Sequence, residues 1–216
     1  MGKEESLKTE LVCSIIQFVR ENHAETIDKA YKYFWDENNP DEFMGGTALS
    51  LGFLNFEDWL IFDYKVTDQE TFIDIYLKAH TLKEHEADLL KRIKDSVISL
   101  YEVSSVAKDK RITLTDLLMK SEHEIRDKAL TRGLNKGDIF ATRLLTLDGK
   151  TCMSGCVYPF TADQKKAVLT YVDKQFKRYV KNVKKDGTMR DFLKDYGDVL
   201  NIIWMNFIMT PEKKRA

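Results

Sequence analysis

Carboxylates and aromatic side chains lie side by side in the segment NFEDWLIFDYKV, residues 55–66. A general acid–base pair or a metal site needs carboxylates that converge on one point. Asp58 and Asp63 are five positions apart, so they point away from each other on a helix and lie on opposite faces of a strand. This spacing favours an aromatic core segment with solvated or capping carboxylates. An enzymatic site would need partners from elsewhere in the fold, such as Arg143 or His123.

Positive charge is concentrated in the segment 162–185, which predicts an amphipathic helix with a basic outer face. The cations that fall on this face are Lys174, Lys177, Arg178, Lys181, Lys184 and Lys185. Such a face can bind an acidic protein or nucleic-acid phosphates, or it can be an ordinary solvated surface. The aromatic residues of this segment fall on the opposite, apolar side, so base stacking is not indicated.

The histidines and cysteines do not form a recognisable ligand or catalytic pattern. His80 and His85 are five apart, which is the wrong spacing for an H-E-x-x-H site. Cys152 and Cys156 are interpreted as buried side chains of one strand, because the second cysteine pair of a structural zinc site is absent. Neither a nucleophile elbow nor a P-loop nor a dinucleotide fingerprint occurs. We therefore expect no metal and no cofactor, and an enzyme is the less favoured class.

The composition is that of a folded chain without a strong overall charge. Its 216 residues are 43% hydrophobic and 32% charged, which suffices to bury a core. A net charge of −1 provides no global attraction to nucleic acid or membrane, so any electrostatic partner must bind a local patch. The three cysteines favour a reducing, cytoplasmic setting. The polar start MGKEESLKTE and the lack of a long apolar run predict neither a signal peptide nor a membrane span.

Apolar spacing predicts helices at both ends of the chain. The first helical region covers 7–35, with a break near 21–24, and a loop rich in Gly, Asn and Pro follows at 36–52. Two further helices are predicted, with caps at Thr67–Asp68 and at Thr81. Helical periodicity returns after a cap at Thr161 and resumes over 188–209, ending at Thr210–Pro211.

Between these helices, residues 98–160 carry about five short segments rich in β-branched and aromatic residues. Turn signals separate them, and Asp148-Gly149 is the strongest hairpin signal. Strands in one block with helices outside it predict an α+β fold with a small antiparallel barrel or curled sheet. The predicted regions are 1–98, 99–160 and 161–216, within one compact domain overall.

Three patches also carry a resemblance: FEDWLIFDYKV, SVISLYEV and DKALTRGLNKGDIFATRLLTLDGKTCMSGCVYPF. Together they resemble uncharacterised bacterial proteins in which a W-x-I-F-D-Y segment precedes helices and a small β unit, sometimes beside a SEC-C zinc motif. The resemblance covers about residues 53–160. The SEC-C motif is absent here, so the resemblance implies no zinc, and it supplies no catalytic residue.

The leading functional hypothesis is a non-catalytic cytoplasmic binding or regulatory protein that docks a protein partner on its basic helix. One alternative is a nucleic-acid-binding protein that uses the helix 162–185. A second alternative is an enzyme whose site assembles from distant carboxylates. The ligand and the oligomeric state stay open at the level of the sequence.

Overall fold

Helices precede and follow one antiparallel sheet in the computed structural model, which describes residues 2–67 and 70–209. The helices before the sheet are α1 (Lys3–Asn22), α2 (Ala24–Phe34), α3 (Gly46–Phe62), α4 (Phe72–Ala79) and α5 (Glu84–Lys94). The strands are β1 (Ile98–Ala107), β2 (Arg111–Asp116), β3 (Glu122–Ile125), β4 (Ile139–Leu147), β5 (Lys150–Met153) and β6 (Tyr158–Phe160), with a short helix α6 (Leu130–Gly133) between β3 and β4. The helices after the sheet are α7 (Lys165–Asn182), α8 (Met189–Asp195) and α9 (Val199–Met209). The predicted α+β class is confirmed.

The sheet is strongly curled. Its strand order is β3-β2-β1-β4-β5, and β6 also pairs with β4, beyond the end of β5. Strand β3 comes close to β5, so the sheet nearly closes into a barrel. The predicted fifth strand is in fact two strands, because Gly155 adopts a φ of +124° and breaks the extended run between them.

The β4–β5 hairpin confirms the strongest turn signal. Leu147 pairs with Lys150, and the two residues between them both have positive φ, 49° at Asp148 and 69° at Gly149. Positive φ at both central residues defines the type I′ turn, whose twist matches that of the flanking strands.

The two faces of the sheet pack differently. Leu100 and Ala141 pair across β1 and β4 and face the large core, which includes Ile15 of α1 and Leu200 of α9. Their neighbours Tyr101 and Phe140 also pair, but they belong to a smaller cluster on the opposite face. Alternation along each strand thus directs every second side chain toward the helices.

The predicted loop at 36–52 is shorter than expected. It contains a 3₁₀ turn at Pro40–Glu42, and α3 already begins at Gly46. Gly52 had counted as a loop signal, but it lies buried within α3. A Cβ atom at this position would lie 2.6 Å from Cη2 of Trp35. Gly52 is therefore required for close packing of the helix against Trp35, and its presence does not end the helix.

Several helix boundaries also differ from the predictions. Helix α5 is capped at Lys83, two residues after Thr81, and α4 is capped at Thr71, whose N–H donates to Asp74 Oδ2 at 3.0 Å. The predicted cap residue Asp68 lies outside the described residues, as do Thr210–Pro211.

The predicted last helix is divided into α8 and α9 around Gly197. By contrast, the break predicted near 21–24 is observed between α1 and α2. Among the helices described, none combines the length and the apolar character needed to cross a bilayer.

Candidate functional site

A buried ion-pair network lies where β4 meets the C-terminal end of α3. Arg143 lies on the same face of β4 as Ala141 and Leu145, so its side chain is directed into the large core. Its Nε donates to Oδ2 of Asp58 at 2.8 Å, and its Nη2 donates to Oδ2 of Asp63. The Arg143 side chain is fully buried, and the two carboxylates are 8% and 1% exposed.

Two further elements complete the network. Nζ of Lys194, on α8, donates to Oδ1 of Asp63 at 2.8 Å and to the carbonyl oxygen of Phe62 at 3.0 Å. Nη1 of Arg143 donates to the carbonyl oxygen of Ser96, just before β1, at 2.8 Å. Two carboxylates thus face two cations, and the network joins α3, α8, β4 and the start of β1.

The pKa shifts follow from this burial and pairing. Burial alone lowers the pKa of Arg143, but the carboxylates of Asp58 and Asp63 more than offset this, so the pKa is raised overall. Burial lowers the pKa of Lys194, and Asp63 offsets only part of the effect. Burial, with the nearby Asp58 charge, raises the pKa of the Cys156 thiol to about 12. The thiol is therefore protonated at neutral pH and is a poor nucleophile.

The expectation of solvated or capping carboxylates is wrong. Asp58 and Asp63 do not meet each other, in agreement with their spacing, but the long side chain of Arg143 reaches both of them. His123, the other suggested partner, lies on β3, where its Nε2 is 2.9 Å from Oγ of Ser121. Carboxylates that are this buried and already paired cannot reach a substrate unless the fold opens, so the arrangement is that of a structural ion-pair network.

Some residues of the network carried little sequence signal. The position of Arg143 was detectable, because it has the same alternation as the apolar residues of β4. Lys194 gave no comparable signal.

Cys156 lies after β5 and not on the same strand as Cys152, so the interpretation of two cysteines on one strand is wrong.

The second candidate site is the basic surface, defined as the exposed cations from Lys174 to Lys185, which lie at the end of α7 and in the segment that follows it. Lys177 pairs with Asp173 at 2.6 Å, and Lys184 pairs with Asp191 at 2.7 Å. The three exposed lysines of this surface that form no ion pair within the described part of the chain are Lys174, Lys181 and Lys185.

The basic surface is not entirely helical. Helix α7 ends at Asn182, so Lys184 and Lys185 lie beyond it rather than within a helix that continues to 185. A helix that continued to 185 would place Val183 on its apolar side, but this residue is 61% exposed. The chain has left the helix at this point, and the apolar stripe is no longer maintained.

A hollow of about 390 Å³ lies beside the basic surface. We call it the tyrosine pocket, because it is lined by Tyr33, Tyr171, Tyr179 and Tyr196 together with Arg178 and Ile202. Arg178 belongs both to this pocket and to the basic surface. Among the described residues, its guanidinium group makes one long hydrogen bond, 3.4 Å from Nη1 to Oε1 of Gln175.

Two hydroxyl groups of the tyrosine pocket bind neighbouring carboxylates. The hydroxyl of Tyr33 donates to Oδ2 of Asp198 at 2.5 Å, and that of Tyr179 donates to Oδ2 of Asp195 at 2.6 Å. Burial raises the pKa of Asp198, and the hydrogen bond from Tyr33 counteracts part of this rise. Burial, followed by the charge of Asp198, raises the pKa of Tyr33.

The model of a family of unknown function, DUF7986, matches residues 50–196 of the chain. The chain belongs to the DUF7986 family. No curated protein and no solved structure matches it. The DUF7986 segment contains the whole Arg143 network and the basic surface, whereas Tyr33, Asp198 and Ile202 of the tyrosine pocket lie outside it. The resemblance of the W-x-I-F-D-Y segment to bacterial proteins is not tested by this match and stays a prediction.

No group of three or more His, Cys, Asp or Glu side chains suited to a metal ion is found within residues 2–67 and 70–209. The basic surface and the tyrosine pocket offer charge pairing and aromatic contact, at a surface that lies partly inside the DUF7986 segment.

Proposed function

We propose that this DUF7986 protein is a non-catalytic cytoplasmic binding module that docks an acidic protein segment on its basic surface. The observation that carries the proposal is the set of lysines Lys174, Lys181 and Lys185, which are exposed and form no ion pair among the described residues. Exposed cations without partners can be neutralised by a ligand without the loss of an existing ion pair.

The non-catalytic part of the proposal is supported by the state of Asp58 and Asp63. Their charges are already balanced by Arg143 and Lys194, and their side chains are almost wholly enclosed. The cytoplasmic part is supported by the three cysteines, which are all free thiols, as expected in a reducing compartment.

An acidic protein fits the basic surface better than a nucleic acid does. Carboxylates lie among its cations: Asp173 and Asp191 pair with Lys177 and Lys184, and Asp186 directly follows Lys185. A phosphate backbone carries a uniform row of negative charge and would meet these carboxylates unfavourably. A protein segment can place acidic and neutral residues in the order that this mixed surface requires.

The test is a comparison of two triple charge reversals. The variant K174E/K181E/K185E changes the basic surface, and K108E/K128E/K136E makes the same charge change at exposed lysines elsewhere. The probe is a fluorescent peptide of repeated Glu-Gly units, and its binding is followed by anisotropy between about 50 and 200 mM salt. We expect the first variant to weaken peptide binding about tenfold or more and the second to change it far less.

Two results would overturn the proposal. Equal losses in the two triple variants would mean that only the overall charge matters. Tighter binding of single-stranded oligothymidine than of the Glu-Gly peptide, with a steep salt dependence, would assign the surface to nucleic acid.

A further inference from the structure

We infer that the tyrosine pocket receives an aromatic side chain of the docked acidic segment; this inference rests on the proposed function and adds the identity of the anchoring residue. The pocket therefore selects an acidic partner that carries a tryptophan or tyrosine.

Exposed apolar surface is concentrated at this pocket. The large hydrophobic residues that are exposed in the described part of the chain include Tyr33 (58%), Val183 (61%), Tyr196 (42%) and Ile202 (39%), and all four line the tyrosine pocket. The three others are Phe53, Leu54 and Met209. A contiguous apolar patch with a polar rim marks an interaction site, whereas single exposed hydrophobic residues are ordinary.

The tyrosine pocket is large enough to admit one aromatic ring. Ligand pockets range from about 300 to 1,000 Å³, so 390 Å³ is at the lower end of this range. The walls are themselves aromatic: the rings of Tyr179 and Tyr196 meet edge to face, with centroids 5.8 Å apart. A guest ring can add a further edge-to-face or offset contact to this pair.

The position of Arg178 connects the pocket to the basic surface. On α7, Lys174 lies four residues before Arg178 and Lys181 lies three residues after it, so the three cations are neighbours on one helix face. When an aromatic ring of the partner lies in the pocket, the partner residues before and after it in sequence are therefore close to these cations. A partner sequence in which acidic residues flank one aromatic residue would therefore fit both the pocket and the neighbouring cations.

The carboxyl group of Asp198 determines which aromatic residue fits best. It already accepts a hydrogen bond from the Tyr33 hydroxyl, and a carboxylate has capacity for further donors. An indole N–H or a phenol O–H can donate a hydrogen bond to this carboxylate, but a phenyl ring has no donor. The same carboxyl group disfavours entry of a glutamate or aspartate side chain, which leaves the acidic residues of the partner to the lysines.

The test uses the Glu-Gly peptide with either tryptophan or alanine at its centre, on the full chain and two variants. Ile202→Trp fills the pocket from an exposed position, and Leu54→Trp adds the same side chain at an exposed position of α3 that does not line the pocket. We expect the tryptophan peptide to bind at least about fivefold more tightly than the alanine peptide to the natural chain. This advantage should vanish in Ile202→Trp and persist in Leu54→Trp, and the Leu54→Trp variant should bind the alanine peptide as the natural chain does.

The outcomes separate this inference from the proposed function. Equal affinity of the two peptides for the natural chain, with both lost in K174E/K181E/K185E, would overturn the inference and leave the proposed function intact. Absence of binding by either peptide would overturn both. A different result would be that oligothymidine binds more tightly than a strand of the same length without bases, and that this difference is lost in Ile202→Trp. That result would assign the pocket to a nucleobase and overturn the inference. If Ile202→Trp does not fold, Val183→Trp fills the pocket from a residue that is 61% exposed.

Discussion

At the scale of single residues, Arg143 joins several elements of the core through buried charge. Its guanidinium group is fully buried and binds two carboxylates and a backbone carbonyl. Burial of these charges costs free energy, which the close pairing offsets only while all the partners are present. Removal of the arginine leaves Asp58 and Asp63 with less compensating positive charge in a buried site.

We predict that Arg143→Met lowers the free energy of unfolding by about 3–5 kcal/mol, the cost of breaking a buried ion pair. The measurement is equilibrium urea unfolding at neutral pH. The control is Arg132→Met, since Arg132 is 66% exposed and pairs with Asp109 at 2.7 Å on the surface. An exposed pair contributes about 1 kcal/mol at most. Similar small losses in the two variants would contradict the structural role of Arg143.

At the scale of elements, the junction of α8 and α9 holds the network closed. Gly197 lies in this junction against Asp63, and a Cβ atom there would lie 2.5 Å from Asp63 Cβ and 2.7 Å from its Cγ. Helix α8 also supplies Lys194. The break between α8 and α9 therefore determines how closely Gly197 and Lys194 approach Asp63 at the end of α3.

We predict that Gly197→Ala destabilises the protein by about 1–3 kcal/mol, because the added methyl group must displace Asp63 or the junction. Urea unfolding measures the change, and Gly133→Ala is the matched control, since a Cβ atom there meets nothing within 4 Å.

The two predicted effects should also be coupled. If the methyl group acts by displacing Asp63 from Arg143, Gly197→Ala will cost clearly less in the Arg143→Met background than in the natural chain. Simple additivity of the two losses would instead mean that the clash is relieved elsewhere in the junction.

At the scale of the whole molecule, the core extends beyond the segment that defines the family. The DUF7986 match covers residues 50–196, yet Leu11 and Ile15 of α1 and Leu200 and Trp204 of α9 are buried in the same hydrophobic cluster as that segment. A chain restricted to the matched segment would leave a large apolar surface exposed to water.

We predict that the fragment 50–196 does not fold alone, whereas the fragment 2–209 folds and unfolds in one cooperative transition. Amide chemical-shift dispersion and near-UV circular dichroism distinguish the two outcomes. The longer fragment controls for the effect of trimming itself. Well-dispersed amide resonances from 50–196 would show that α1, α2 and α9 are additions to a domain that is stable without them.

Features that depend on neighbouring residues could be predicted from the sequence. The Asp148-Gly149 hairpin is one of them, because positive φ at two successive positions is a local property of these residue types. The break between α1 and α2 and the Thr161 cap, whose N–H binds Oε1 of Gln164 at 2.9 Å, are two others. The strand block and the outward basic face of α7 likewise follow from periods of two and 3.6 residues.

The Arg143 network and the tyrosine pocket depend on contacts between residues that are far apart in the sequence, which local patterns do not reveal. Asp58 and Arg143 are 85 positions apart, and Tyr33 and Asp198 are 165 apart. The α+β class, the main turns and the basic character of α7 could be read from local residue patterns. The pairing of Asp58 and Asp63 with Arg143 inside the core, and the four tyrosines that line a pocket with Arg178, required the three-dimensional structure. The physical reason is that periodicity specifies which face of an element is buried, whereas the packing of distant elements specifies what that face contacts.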